Sequence, residues 1–293
     1  MRSVCIVGTG LIGASIGLAL KAAGFKGEAL GFDANPTELA VAAAVGAIDR
    51  ALGSREAVAA CGAEIIVLAT PVLPVLDWME FLAPRLTAQQ MVTDVGSTKA
   101  VICEHARRLF GAVDRAVFLP GHPMAGKESG GAALAEASLF QGARWLFTPL
   151  AEPDADASAA PRNEHAAEWR AWVRRMGAQA EDIAPARHDE VCAWVSHLPQ
   201  MLSTALAAQL EDEFAADAEG MKAVQAIGAR ALRETTRLGA SPYSMWRDVA
   251  LTNTENIAAT LLALEQRLQH MRENLRTPEL REEFARANQF RAK

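Results

Sequence analysis

The chain has 293 residues, 51% of them hydrophobic and 22% charged, with a formal net charge of −6. That composition excludes a disordered chain, the acidic balance argues against a nucleic-acid partner, which wants a clustered basic surface, and no apolar run approaches the roughly 18 residues of a membrane helix. The length suggests about two domains, and the first residues read as a core strand rather than a signal peptide, so a cytoplasmic protein acting on small molecules is expected.

The chain begins on an apolar run, Val4 to Val7, that opens into Gly8-Thr9-Gly10-Leu11-Ile12-Gly13. A lone G-x-G-x-x-G is a weak signal, so its surroundings carry the weight. Ala14 to Ala23 reads as a small-faced helix, Glu28 to Phe32 as a second strand, and Asp33 closes that strand 20 residues after Gly13. In such a βαβ unit the first glycine permits a tight turn, the second lets the backbone approach a pyrophosphate, and the third lets helix and strand pack closely. Free N–H groups at the start of the helix attract phosphate. A carboxylate at Asp33 suits the two hydroxyls of an adenine ribose and repels a 2′-phosphate, which favours NAD over NADP.

A helix over Pro36 to Ala44 follows, then a buried strand at Glu64 to Ala69 and a helix through Leu76 to Leu82. Next come a strand at Met91 to Val95, a helix after Ser97 and strands at Ala116 to Leu119 and Arg144 to Thr148. Strands alternating with helices predict a Rossmann-type α/β domain with a mostly parallel, doubly wound sheet. The Ala-, Asp- and Pro-rich segment from Ala151 to Arg162 reads as an exposed loop. A helix around Trp169 to Met176 and a strand from Ala178 to Ile183 complete a first domain over residues 1–184.

From His188 the pattern changes to long helical stretches, Asp189 to Leu210, Met221 to Thr236 and Trp246 to about Asn274, with a peripheral helix or frayed end over Pro278 to Lys293. Residues 185–293 are thus expected to form an all-α domain. Its apolar faces outnumber what its own few helices can cover, which points to a helical homodimer interface. The four cysteines are scattered without a C-x-x-C pair and read as buried free thiols in a reducing compartment. No His/Cys group shows ligand spacing in the sequence, so no metal site is expected.

Ligands of a doubly wound sheet sit at the carboxyl ends of its strands. There the sequence places Thr70-Pro71, then Gly96-Ser97-Thr98-Lys99, then Gly121-His122-Pro123-Met124-Ala125-Gly126-Lys127-Glu128. Ser97 stands where a helix N-cap belongs, and capping and catalysis compete for its hydroxyl. Lys99 reads as a solvated or phosphate-facing charge. His122, held between glycine and proline in open surroundings, suits a general base, because an unperturbed histidine is mostly neutral at pH 7. In the helical half, Ser196-His197-Leu198-Pro199-Gln200 allows either a satisfied core histidine or a site residue. The cluster Arg233-Glu234-Thr235-Thr236-Arg237, with Trp246 after it, is by itself equally compatible with a surface ion-pair network.

Together these segments resemble the prephenate dehydrogenase family of tyrosine biosynthesis, which includes arogenate and cyclohexadienyl dehydrogenases. The likeness runs essentially end to end through five ordered motifs: the glycine turn with Asp33, Asp94 to Lys99, His122 to Gly126 with Glu128, Ser196 to Pro199, and Thr236-Arg237 with Trp246. The resemblance implies an N-terminal domain binding NAD, through Gly8, Gly10, Leu11, Ile12, Gly13, Asp33, Thr70 and Pro71, and a C-terminal domain that dimerises by interlocking helices. By the same analogy His122 takes the proton of the substrate's ring hydroxyl, and Ser97 orients the hydroxyl and the histidine. His197 and Arg237 hold the carboxylate end, Glu128 shapes access, and Trp246 reaches a site in its own or the neighbouring subunit.

Two positions depart from the family pattern. Lys127 stands where several relatives carry a small hydroxyl residue, and Gln200 where many carry a second histidine. Both bear on whether the substrate is prephenate, arogenate or both. Two alternatives stay open: another two-domain NAD-dependent hydroxy-acid dehydrogenase, for which Lys222 is the nearest proton acceptor, and a catalytically silent NAD-binding sensor.

Overall fold

The computed structural model describes residues 1–112, 114–150 and 164–293. The loop expected over Ala151 to Arg162 lies outside the described residues. Among the described residues nine strands run in chain order: β1 (Ser3–Val7), β2 (Glu28–Phe32), β3 (Arg50–Ala51), β4 (Ile65–Leu68), β5 (Met91–Asp94), β6 (Val117–Leu119), β7 (Gly121–Pro123), β8 (Arg144–Phe147) and β9 (Gln179–Asp182). The first six form one all-parallel sheet in the order β3-β2-β1-β4-β5-β6. The order reverses at β1 and β4, the switch point at which open α/β sheets bind ligands.

The helices between these strands are α1 (Leu11–Ala22), α2 (Pro36–Ala44), α3 (Arg55–Ala60), α4 (Val72–Leu82) and α5 (Ala100–Phe110). Because they cover both faces, β4 is apolar at every position and β1 from Val4 onward. Val4, Ile6, Ile65 and Val67 face one core with Ile16 and Leu20 of α1. Cys5, Val7, Ile66 and Leu68 face the other with Val75, Trp78 and Met79 of α4 and Ile102 of α5. Each such fully buried aliphatic side chain contributes about 1.5–3 kcal/mol. Sequence patterning found most of these elements but not β3 or α3, whose short, half-exposed runs carry little periodicity.

The sheet stops at Pro120, which has no N–H for another ladder. Strands β7, β8 and β9 form a separate three-stranded sheet, with β7 and β8 antiparallel and β8 and β9 parallel. Trp145 and Phe147 of β8 pack with Trp169, Trp172 and Val173 of α6 (Glu164–Arg175) into the same core as α1. This small sheet therefore extends the first core.

The remainder is helical: α7 (Pro185–Cys192), α8 (Leu198–Phe214), α9 (Ala218–Ile227), α10 (Ala229–Thr236), α11 (Tyr243–Thr252), α12 (Thr254–Glu273) and α13 (Glu279–Arg291). Two of the expected long helices are broken. Met221 to Thr236 divides at Gly228–Ala229, where Ala229 has a φ of 42°, and the next divides at Asn253. Between α7 and α8 the turn widens to π geometry over Ala193–His197. Pro199 follows at once and has no N–H to donate back. Such widened turns recur at functional sites, and this one ends on His197.

The helical region meets the sheet through carboxylates. Asp248, fully buried, accepts the Leu73 N–H at the start of α4 at 3.1 Å. Asp189 of α7 accepts the Lys99 and Ala100 N–H groups at 2.7 and 2.8 Å, at the start of α5. Helix N-termini leave N–H groups without intrahelical partners and carry partial positive charge, so two aspartates from the helical half serve the starts of α4 and α5, the helices that follow β4 and β5. On its outer side that half exposes Leu206, Leu262, Leu268, Leu275, Phe284 and Phe290.

Candidate active site

The glycine turn is as tight as its sequence implies. Gly8 has a φ of +89°, and a Cβ there would lie 2.5 Å from the Ala69 carbonyl oxygen beside Thr70. A Cβ on Gly13 would overlap the Gly8 carbonyl, whereas one on Gly10 would meet nothing within 4 Å. Gly10 thus faces open space at the start of α1, which has no side-chain cap. Asp33, at the end of β2, accepts the Thr9 N–H at 2.6 Å and the Asn35 N–H at 2.8 Å. Its carboxylate is held over the turn with lone pairs left for ribose hydroxyls. Thr70 abuts Gly8, and Pro71 stands at the start of α4. An uncapped helix start, an open Gly10 and an acid at the next strand end fit a dinucleotide.

The segment after β5 closes on itself. Lys99 is completely buried and paired with the equally buried Asp94, whose carboxylate also accepts the Gly96 N–H at 2.7 Å and the Gly121 N–H at 3.2 Å. The expectation of a solvated or phosphate-facing Lys99 is therefore corrected: its charge is spent inside the protein, tying β5 to the chain before α5. Ser97 does not cap that helix either, because α5 begins at Ala100 and its free N–H groups go to Asp189. Capping therefore makes no claim on the half-buried Ser97 hydroxyl.

His122 lies in β7 rather than in open loop, and only 9% of it is exposed. Its open surroundings are a second correction: β8 pairs with β7 on one side and α7 packs over it. His122 Nδ1 is 2.9 Å from His188 Nε2, and His188 Nδ1 is 2.8 Å from Asp189 Oδ1. Burial first, then the neighbouring His188, Lys99 and His197, push the His122 pKa well below the usual histidine value. A neutral imidazole at neutral pH follows.

His197 is buried at the end of the widened turn, and burial pushes its pKa down to about 4. Its Nδ1 lies 3.2 Å from Asn253 Nδ2, which also donates to the Asp189 carbonyl at 2.9 Å. With Nδ1 accepting, the ring proton of neutral His197 falls on Nε2, a buried atom without a partner among the described residues. An orphan buried donor is costly unless a ligand accepts from it. Trp246 packs edge-on to His197 of its own chain, with ring centroids 5.9 Å apart.

Arg237 and Glu128 form an ion pair, so the structure joins two residues that are 109 apart in sequence. Lys127 points elsewhere: its ammonium donates to the Leu134 carbonyl at 2.9 Å and to Glu136 at 2.6 Å. Gln200 is buried and donates its amide to the Leu238 carbonyl at 2.7 Å and to Thr204 at 3.1 Å, which secures the segment after Arg237.

Sequence reasoning gave no role to His188, Asp189 or Asn253. The adjacent His188-Asp189 pair at the start of the helical half was the one available signal, while Asn253 left none. The fold also brings His122, His188 and Cys192 within 4.8 Å of one another, a grouping that spacing along the chain conceals. Burial and Asp189 push the Cys192 thiol up to about 12, so it stays protonated and a poor metal ligand.

Two family models match: the nucleotide-binding domain of prephenate dehydrogenase over residues 16–163 and its dimerization domain over residues 184–289. The chain is 32% identical over 278 residues to a prephenate dehydrogenase of Lactococcus lactis subsp. cremoris, covering 93% of this chain and 70% of that one. Its fold is similar to prephenate dehydrogenase from A. aeolicus, solved with hydroxyphenyl propionate and NAD+, at a TM-score of 0.84 and 27% identity over 100% of this chain and 97% of that one. It is also similar to Synechocystis arogenate dehydrogenase, at a TM-score of 0.74 and 30% identity over 99% of both chains. With the glycine turn, the buried His122 and the Glu128–Arg237 pair in place on this fold, the chain belongs to the prephenate dehydrogenase family.

Proposed function

We propose that this protein is an NAD-dependent dehydrogenase that oxidatively decarboxylates prephenate, arogenate or both to 4-hydroxyphenylpyruvate or tyrosine. The observation that carries this reading is the buried, neutral His122 at the carboxyl end of the parallel sheet, beside the second-domain residues His188 and His197. Its two halves are residues 1–184 and 185–293, a division supported by the end of β9 at Asp182 and the start of α7 at Pro185.

Bound NAD+ supplies the hydride acceptor, held by the glycine turn and Asp33. Removing a hydride from the hydroxyl-bearing ring carbon while CO2 leaves the opposite carbon creates an aromatic ring, which drives the reaction forward. The protein's share is positioning and one proton transfer. His122 Nε2 accepts the hydroxyl proton, and Ser97 orients that hydroxyl. The orphan Nε2–H of His197 donates to the substrate, and Arg237 exchanges the Glu128 carboxylate for a substrate carboxylate. A charge-assisted bond of that kind contributes roughly 1.5–3 kcal/mol.

The exposed leucines and phenylalanines of α8, α12 and α13 support a homodimer through the helical half, and the matched dimerization domain agrees with it. Among the described residues no helix is long and apolar enough to cross a membrane, and we place the enzyme in the cytoplasm. Lys222, the proton acceptor of the competing hydroxy-acid reading, is exposed on α9, a helix with no buried residue.

The test is NADH formation from NAD+ with prephenate, arogenate and short hydroxy acids in turn. Turnover is expected with prephenate or arogenate, and His122→Asn should lower kcat by roughly 10²–10⁴-fold with little loss of NAD+ binding. Turnover retained in that variant removes His122 from the role of base.

A further inference from the structure

Two polar side chains line up behind His122, away from the proton it accepts. His122 Nδ1 lies 2.9 Å from His188 Nε2, and His188 Nδ1 lies 2.8 Å from Asp189 Oδ1. Asp189 is anchored by three hydrogen bonds: Oδ1 accepts the Lys99 N–H, Oδ2 accepts the Ala100 N–H, and its carbonyl accepts from Asn253. His188 is completely inaccessible and Asp189 is 2% exposed, so bulk solvent does not reach them.

We propose that His188 and Asp189 are positioning residues that set the tautomer of the base, forcing the ring proton of His122 onto Nδ1 and leaving Nε2 as the lone pair that accepts the substrate's proton. This rests on the reading of His122 as the base. The direction follows from donor and acceptor counting. An ionised carboxylate only accepts, so His188 Nδ1 carries a proton and donates to Asp189. A neutral His188 then has a bare Nε2, and the 2.9 Å bond from His122 requires an Nδ1–H there. Cys192 Sγ, 3.6 Å from the same His188 nitrogen, is a weaker donor that leaves the order unchanged.

When His122 takes up the substrate's proton, its second N–H already points at the imidazole–carboxylate pair. The positive charge formed beside the buried Lys99 and His197 is thereby offset by Asp189. The same arrangement joins the two halves of the molecule, because the base and α5 belong to the first while His188 and Asp189 belong to the second. Docking of the helical half is therefore a condition for a correctly protonated base. The logic parallels the orientation of a catalytic histidine by a buried carboxylate, with a second imidazole interposed.

The experiment combines nitrogen-15 NMR of the histidine rings with kinetics. In the wild-type protein at neutral pH, His122 and His188 should both show the Nδ1–H tautomer, with signals assigned from His122→Asn and His188→Gln. An Nε2–H tautomer at His122 overturns the proposal without any variant activity being needed. His188→Leu removes the acceptor and should lower kcat about 10- to 100-fold while the KM values for NAD+ and substrate stay within about threefold. His188→Gln restores a carbonyl acceptor and should recover much of that loss. Equal losses in both variants, or a fully active His188→Leu beside an inactive His122→Asn, refute the positioning role while leaving the base in place. Turnover surviving in His122→Asn removes the base and the proposal with it.

Discussion

Replacing Lys99 by Met tests how the segment carrying Ser97 is held. Lys99 and Asp94 are both 0% exposed and paired, and among the described contacts Asp94 otherwise receives only the N–H groups of Gly96 and Gly121. Breaking a buried ion pair by removing one partner costs about 3–5 kcal/mol, because the other charge stays buried. The two backbone donors still serve the carboxylate, which places Lys99→Met near the lower end, at about 3 kcal/mol. For a chain of this size that corresponds to a fall in Tm of roughly 5–10 °C, with a matching drop in the urea midpoint. The double variant Asp94→Asn/Lys99→Met removes the stranded charge and should return to within about 1–2 kcal/mol of the parent. Urea unfolding followed by circular dichroism, with thermal melts alongside, reads both variants. A Lys99→Met protein within 1 kcal/mol of the parent, or a double variant less stable than the single one, refutes the reasoning.

Gly10→Ala should fold with an unchanged Tm, since its Cβ meets nothing, yet lose NAD+ affinity by at least tenfold; Gly13→Ala should lower Tm, because its Cβ overlaps the Gly8 carbonyl. Calorimetric titration with NAD+ separates the two, and unimpaired binding by Gly10→Ala counts against the pyrophosphate reading. Arg237→Ala should raise the substrate KM at least tenfold with kcat little changed, and an unchanged KM returns the Glu128–Arg237 pair to a surface role. His197, at about 4 in the folded protein against roughly 6.5 unfolded, binds fewer protons when folded. Its contribution is complete above pH 6.5 and is lost as the pH falls towards 4, on the order of 3 kcal/mol in all. The Tm of His197→Asn should therefore fall less steeply than that of the wild type between pH 6.5 and 4, and parallel curves would refute the assignment.

The βαβ unit was legible because its signals are local. Glycine spacing, the apolar strands and Asp33 all lie within the first 33 residues, and the structure returns Glu28–Phe32 and Pro36–Ala44 at the expected bounds. The end of the parallel sheet was less legible, because Pro120 marks a break without saying that β7 starts a second sheet. Lys99 was misread because a lysine after a strand is usually solvated, and only the closure of the 94–99 segment onto Asp94 reverses that. His122 was found by its place at a strand end, but its environment was not.

By itself, then, the sequence determined the dinucleotide turn, the two-part division into alternating and helical halves, and the five ordered motifs of the family. Tertiary structure alone decided which groups are neutral, paired or unpartnered. His122 is covered by His188 of α7, and His197 by Asn253 and by Trp246 of α11. Asp189 meets α5 and His188 meets His122 across separations of 90 and 66 residues. Pattern within one element carries no information about such distances, because protonation and orientation are set by whatever packs against a side chain, and those neighbours come from other elements of the chain.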